Sequence, residues 1–102
     1  MADNVCAVRV TTDAGTVTAH LVGELDLAAV REVSEALQLH LHGHVVVDMR
    51  EIGFVDSSGI HCLLRLRDEA ARRGGRLTLH ISPAVRRVLD IVGLTDQLVI
   101  EP

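Results

Sequence analysis

Apolar and polar positions alternate through the first part of the chain and then change period. Residues 5–10, VCAVRV, and 16–22, TVTAHLV, are rich in β-branched side chains, and TTDAG between them carries turn residues. This pattern predicts a β-hairpin whose second strand ends at Gly23. The spacing then becomes helical: Val30, Val33, Leu37 and Leu41 recur three or four apart, with Ala29 and Ala36 close by. Asp26 is the N-cap candidate of this first helix and Gly43 its expected end. HVVVDM, residues 44–49, is a continuous apolar run, as in a central strand buried on both faces.

A second helix is expected from about Ser58 to Arg73, with Ile60, Leu63, Leu64 and Ala71 facing inward. Arg65 with Glu69, and Asp68 with Arg72, stand four apart on its wet side, and Gly74-Gly75 suits a left-handed cap. RLTLHI, residues 76–81, alternates as a strand covered on one face does. Ser82-Pro83 then opens a third helix as N-cap and first helical residue; Val85, Val88, Leu89 and Val92 form its stripe, and Gly93 ends it. DQLVI, residues 96–100, reads as a last short strand.

The order β-β-α-β-α-β-α-β places the chain in the α/β class: an N-terminal β-hairpin, then βαβ units of one hand, forming a mixed sheet with helices packed on it. The 102 residues make one domain by size, with a core spanning about residues 5–101.

Composition narrows the function. Phe54 is the only aromatic residue, so the core is built from Val, Leu, Ile and Ala and offers no stacking platform for bases. The net charge is −4 and every basic residue is Arg, which disfavours a nucleic-acid partner. No basic segment followed by an apolar run marks export, and no apolar run reaches transmembrane length. The expectation is a cytoplasmic protein without membrane insertion, with Cys6 and Cys62 as reduced core thiols.

The joint FVDSSGIHCLL, residues 54–64, carries the chemistry. One hydroxyl or carboxylate suffices to cap a helix, which leaves a second serine unexplained. Ser57 with His61 as base would share a helix face, but Val55 stands where a nucleophile elbow needs Gly, and no third group orients the histidine. His40, His42 and His44 suggest a metal, yet Gly43 breaks the helix that would align them, so they read as solvated. His20 and His80 each sit alone on a strand, Arg86-Arg87 is too short for a basic patch, and no glycine-rich phosphate loop follows a strand. The residues thus call for no cofactor, no metal and no catalysis.

GELDLAAV, VVVDMREIGFVDSSGI and GGRLTLHISPAVRRVLDIVGL together resemble the STAS domain, specifically the bacterial anti-sigma factor antagonists, over about residues 15–101. The resemblance implies a partner switch. Members bind an anti-sigma factor that is also a serine kinase and so release a sigma factor. The kinase phosphorylates the first serine after the aspartate, here Ser57, and a metal-dependent serine/threonine phosphatase reverses it. Asp26, Asp56, Ser57, Ser58, Gly59, Ile60 and His61 are then the expected partner-binding residues. Two departures stand out. After D-S-S-G-I the family usually has a small residue, whereas His61 and Cys62 follow here. Members also usually continue into a further C-terminal helix, so the sequence is either short or trimmed. Other STAS domains act as scaffolds without phosphorylation, and that is the alternative expectation.

Overall fold

The computed structural model describes residues 6–101. Val5, expected to begin the first strand, lies outside them. β1 (Ala7–Asp13) and β2 (Thr16–Leu25) pair antiparallel, with Asp13 opposite Thr16. The two loop residues, Ala14 and Gly15, have φ of 52° and 85°. Positive φ at both is the turn whose twist matches a two-residue hairpin.

α1 (Leu27–Leu37) follows, then a 3₁₀ turn over Gln38–His40, β3 (His44–Val55), α2 (Ser57–Arg72), β4 (Arg76–Ile81) and α3 (Pro83–Val92). The strands lie in chain order, with β2, β3 and β4 parallel. Each crossover steps the same way across the sheet, so a common right hand puts the helices on one face. That face carries Val17, Ala19, Val45, Val47, Met49 and Leu79, all buried in one cluster with Val33, Leu63 and Leu89 of the helices. Among the described residues no helix is long and apolar enough to cross a membrane.

Several expectations change. β3 is central, but only its helix-side residues are sealed; Val46 and Asp48 on the other face are half-buried. Gly23 does not end β2. It takes φ 120° at an irregularity, and the strand runs on to Leu25. Two register shifts, between His20 and Val22 and between Gly23 and Glu24, each admit one extra residue of β3. As a result Leu25 faces Val55, and both strands finish at the same level.

α1 gives way to the 3₁₀ turn before Gly43 is reached. In α2 Cys62, Leu66 and Ala70 are buried where Ala71 was expected, and Ala71 is exposed. Glu69 pairs with Arg72 and Arg73 and Asp68 with Arg67, in place of the expected Arg65–Glu69 and Asp68–Arg72. Val92 is exposed beside Ile91 rather than part of the buried stripe of α3. The expected last strand reduces to a single parallel bridge, Leu79 to Ile100, flanked by Leu79 N–H donating to the Val99 carbonyl at 2.8 Å.

The caps follow the sequence closely. Ser82 accepts from the Val85 amide at 3.2 Å and donates to the buried Ile52 carbonyl at 2.7 Å. Gly93 ends α3 in the left-handed region at φ 75°.

Candidate functional site

The carboxyl ends of β2 and β3 are built as a matched pair. Leu25 and Val55 face each other, an aspartate follows each, and a helix follows each aspartate. Asp26 Oδ1 accepts from the Ala29 amide at 3.1 Å and caps α1. Asp56 Oδ1 accepts from the Gly59 amide at 3.0 Å and caps α2. Each carboxylate meets the free N–H groups and positive end of its helix. The Asp56 amide donates to the Leu25 carbonyl at 3.3 Å, which ties the two joints together.

The capping of α2 answers the question raised by the two serines. The cap is Asp56, so neither serine is needed for it. Among the described residues neither hydroxyl has a hydrogen-bond partner. Ser57 is the first helical residue and is exposed; Ser58 is half-buried. His61 is exposed one turn on, with no carboxylate or hydroxyl bonded to its ring among the described residues. The arrangement presents a hydroxyl on a rigid joint and supplies no partner that would raise its nucleophilicity.

Gly59 and Ile60, expected on the binding surface, are buried. Gly59 packs against Leu25 and Val55, and Ile60 joins the core. They hold the surface in place. Asp26, Asp56, Ser57, Ser58 and His61 retain at least partial exposure. Cys62 is buried with its Sγ 3.4 Å from Ser34 Oγ of α1, so of the two residues that follow D-S-S-G-I in place of the family's small residue only His61 reaches the surface.

Cys6 is buried as well. Burial, aided by the negative charges of Glu32 and Asp26, pushes its thiol up to about 11. Both cysteines are free and buried, as core thiols should be. Among the described residues no group of three or more His, Cys, Asp or Glu is placed to hold a metal. His44, one of the three clustered histidines, instead bonds Thr78 Oγ1 through Nε2 at 3.0 Å.

Two features escaped sequence reasoning. On the helix-free face Asp48 binds Arg50 in a two-pronged pair at 2.9 and 2.8 Å, and His20 Nδ1 lies 3.4 Å from the same carboxylate. Arg50 holds the Asp48 carboxyl well below the usual carboxylate range. The strand register that aligns His20 with Asp48 was the missing information. The second feature is the exposure of Leu27 and Phe54 beside the aspartate caps. An apolar residue directly after an N-cap was the available signal for Leu27.

Comparison with known proteins agrees with this architecture. The family model described as "Mlab, STAS domain" matches residues 8–101. An anti-sigma F factor antagonist from Paenibacillus polymyxa is 33% identical over 85 residues, spanning 78% of this chain and 73% of that protein. The structure of an anti-sigma factor antagonist from Mycobacterium paratuberculosis superposes with a TM-score of 0.84 at 20% identity, covering 99% of this chain and 89% of that one, and so speaks to the fold alone. The anti-sigma factor antagonist SpoIIAA is 25% identical. Its unphosphorylated form gives a TM-score of 0.77 over 94% of this chain and 89% of that one. Its phosphorylated form, from Bacillus, gives 0.71 over 94% and 92%.

Proposed function

The chain belongs to the STAS domain family of anti-sigma factor antagonists, and from that premise we propose that it binds an anti-sigma factor through the Ser57 surface and is switched off by phosphorylation of Ser57. The observation that carries this reading is the position of Ser57. It is exposed at the first turn of α2, its hydroxyl is free of structural duty, and Asp56 does the capping. A kinase can reach such a group, and the joint on either side holds it still. In this reading the anti-sigma factor is itself the serine kinase, a serine/threonine phosphatase reverses the reaction, and the chain acts by binding, without catalysis or cofactor. The support for the partner class is the naming of the relatives as anti-sigma factor antagonists.

A phosphate on Ser57 faces the positive end of α2. The fold therefore tolerates it. The surface changes by about −2 in charge, next to Asp56 and to Asp26 across the joint. An interface that accepts a neutral serine must then strip water from a dianion or leave it unpaired, at a cost of several kcal/mol. Each 1.4 kcal/mol is about tenfold, so a loss of affinity of a hundredfold or more follows from one phosphate.

The test is intact mass with site mapping on the protein from its own cells, growing and stressed, beside Ser57→Ala. A single phosphate on Ser57 whose level changes with conditions is expected. No phosphate under any condition, with Ser57→Ala indistinguishable from wild type, would replace this reading with a constitutive STAS binding module.

A further inference from the structure

Leu27 is 72% exposed and Phe54 is 49% exposed, and both stand at the paired strand ends from which α1 and α2 start. The Leu25–Val55 pairing puts Leu27 and Ser57 in equivalent places, each the first residue of its helix and each one residue after its aspartate cap. The two helices lie side by side, with Ser34 Oγ 3.4 Å from Cys62 Sγ farther along. Phe54 precedes Asp56 by two residues. Val55 between them is buried and Asp56 keeps an extended backbone, so Phe54 and Asp56 emerge on the same side of the chain.

The fold asks for neither side chain. An acidic residue in the first turn of α1 would favour the helix dipole, and none is there. Leucine in that place gains nothing from the dipole and little from burial. Phe54 is the only aromatic residue of the chain, yet it stands half in water opposite Glu24.

The charge around them is of one sign. Glu24, Asp26 and Asp56 sit at the same strand ends, and none of the three has an ion-pair partner among the described residues. The nearby arginines are committed elsewhere, Arg31 to Glu35 and Arg50 to Asp48.

Resting on the binding reading above, we propose that Leu27 and Phe54 are the apolar anchors by which the Ser57 surface docks into a partner protein, one whose facing surface has apolar sockets ringed by Arg or Lys. Apolar anchors in desolvated sockets carry most of the affinity of protein interfaces, while charges at the rim set orientation and on-rate. Ser57 shares these two joints with both anchors and with Glu24, Asp26 and Asp56. A phosphate there brings bulk and a hydration shell to the part of the contact that must be dry, and lifts both anchors from their sockets. One modification at Ser57 is then decisive.

The partner for the test is the anti-sigma factor of the same cells, retained by the wild-type chain and not by Ser57→Asp, then purified. Calorimetric affinities are measured for wild type, Leu27→Ala, Phe54→Ala and Leu39→Ala. Leu39 is 79% exposed in the 3₁₀ turn at the far end of α1 and serves as control. Thermal melts verify that each variant folds. Leu27→Ala and Phe54→Ala are each expected to weaken binding about tenfold or more, and Leu39→Ala less than about twofold. Raising salt from about 0.05 to 0.5 M is expected to weaken the wild-type complex. If Leu27→Ala and Phe54→Ala bind within about twofold of wild type while Ser57→Asp does not bind, the anchors are refuted and the binding reading stands. Affinity indifferent to salt would refute the basic ring. If no anti-sigma factor is retained, or Ser57→Asp binds as tightly as wild type, the binding reading itself fails and the anchors fall with it.

Discussion

Gly59 lies so close to Leu25 that a β-carbon on it would overlap the Leu25 carbonyl oxygen and come within 2.7 Å of Val55 Cγ2. The first turn of α2 is thereby pressed against the end of β2. This contact, with the Asp56–Leu25 hydrogen bond, fixes the distance between the two capped joints that frame Ser57.

Replacing Gly59 by Ala must move backbone rather than a flexible side chain. We expect Gly59→Ala to cost about 1–3 kcal/mol, as overpacking does. In a domain of this size each kcal/mol lowers Tm by roughly 4–8 °C. A melt within a degree or two of wild type would show that the joint gives more than its geometry implies.

The division of labour in Asp56-Ser57-Ser58 makes a second prediction. Asp56→Ala removes the cap of α2 and should cost about 0.5–2 kcal/mol, with a similar loss for Asp26→Ala at α1. Ser57→Ala and Ser58→Ala should each change stability by less than about 0.5 kcal/mol. Chemical denaturation of the four variants decides it. A larger loss from either serine than from Asp56 would reassign the cap.

Much of this was legible in the sequence, for a reason that separates local from non-local structure. Asp26, Ser82, Pro83 and Gly93 act on backbone groups within a few residues of themselves, so their capping roles could be read from order alone. The two bulges of β3 depend on which residues lie across the strand, and no local signal announces them. They nonetheless bring Asp26 level with Asp56. Ion pairs on α2 failed for a related reason: Glu69 can reach two arginines, and Arg73 also bonds the Gln38 carbonyl at 2.7 Å, a contact made by folding. Burial of Gly59 likewise became visible only when two joints distant in sequence were placed side by side.

Adding charge at Ser57 should spare the fold. No acidic residue occupies the first turn of α2, and its dipole favours one. Ser57→Asp is expected to leave Tm unchanged or raise it, by about 0.3–1 kcal/mol of stability at low salt. Loss of binding by Ser57→Asp would then be a surface effect. A Tm depressed by several degrees would mean that the substitution unfolds the joint and mimics nothing.

Acid should act through Asp48. Arg50 lowers its pKa in the folded chain, so the carboxylate is favoured by folding. A depressed carboxyl contributes stability that is full above its unfolded value of about 3.9 and is lost as pH falls toward the folded value. Asp48→Asn should therefore be less stable than wild type at neutral pH, and the gap should narrow steadily below about pH 4. Urea titrations at neutral and acid pH measure both gaps. An equal gap at both would assign the effect to packing.

Alkali should act through Cys6, and this chain isolates the effect because it has neither Lys nor Tyr. Burial, with Glu32 and Asp26 nearby, pushes the folded thiol up to about 11. An unfolded thiol ionises near 8.5. Below about pH 8.5 both states hold the proton and stability is full. Above it the unfolded chain releases a proton that the folded chain keeps, so stability falls as pH rises toward 11. The slope has a limit of about 1.4 kcal/mol per pH unit for one proton. The contributions of all other groups cancel in the difference between wild type and Cys6→Ala, which isolates Cys6. Wild type should lose its lead over Cys6→Ala progressively between about pH 8.5 and 11. Parallel pH profiles for the two proteins would show that the thiol ionises as readily folded as unfolded, and that the burial of Cys6 beside α1 opens to water.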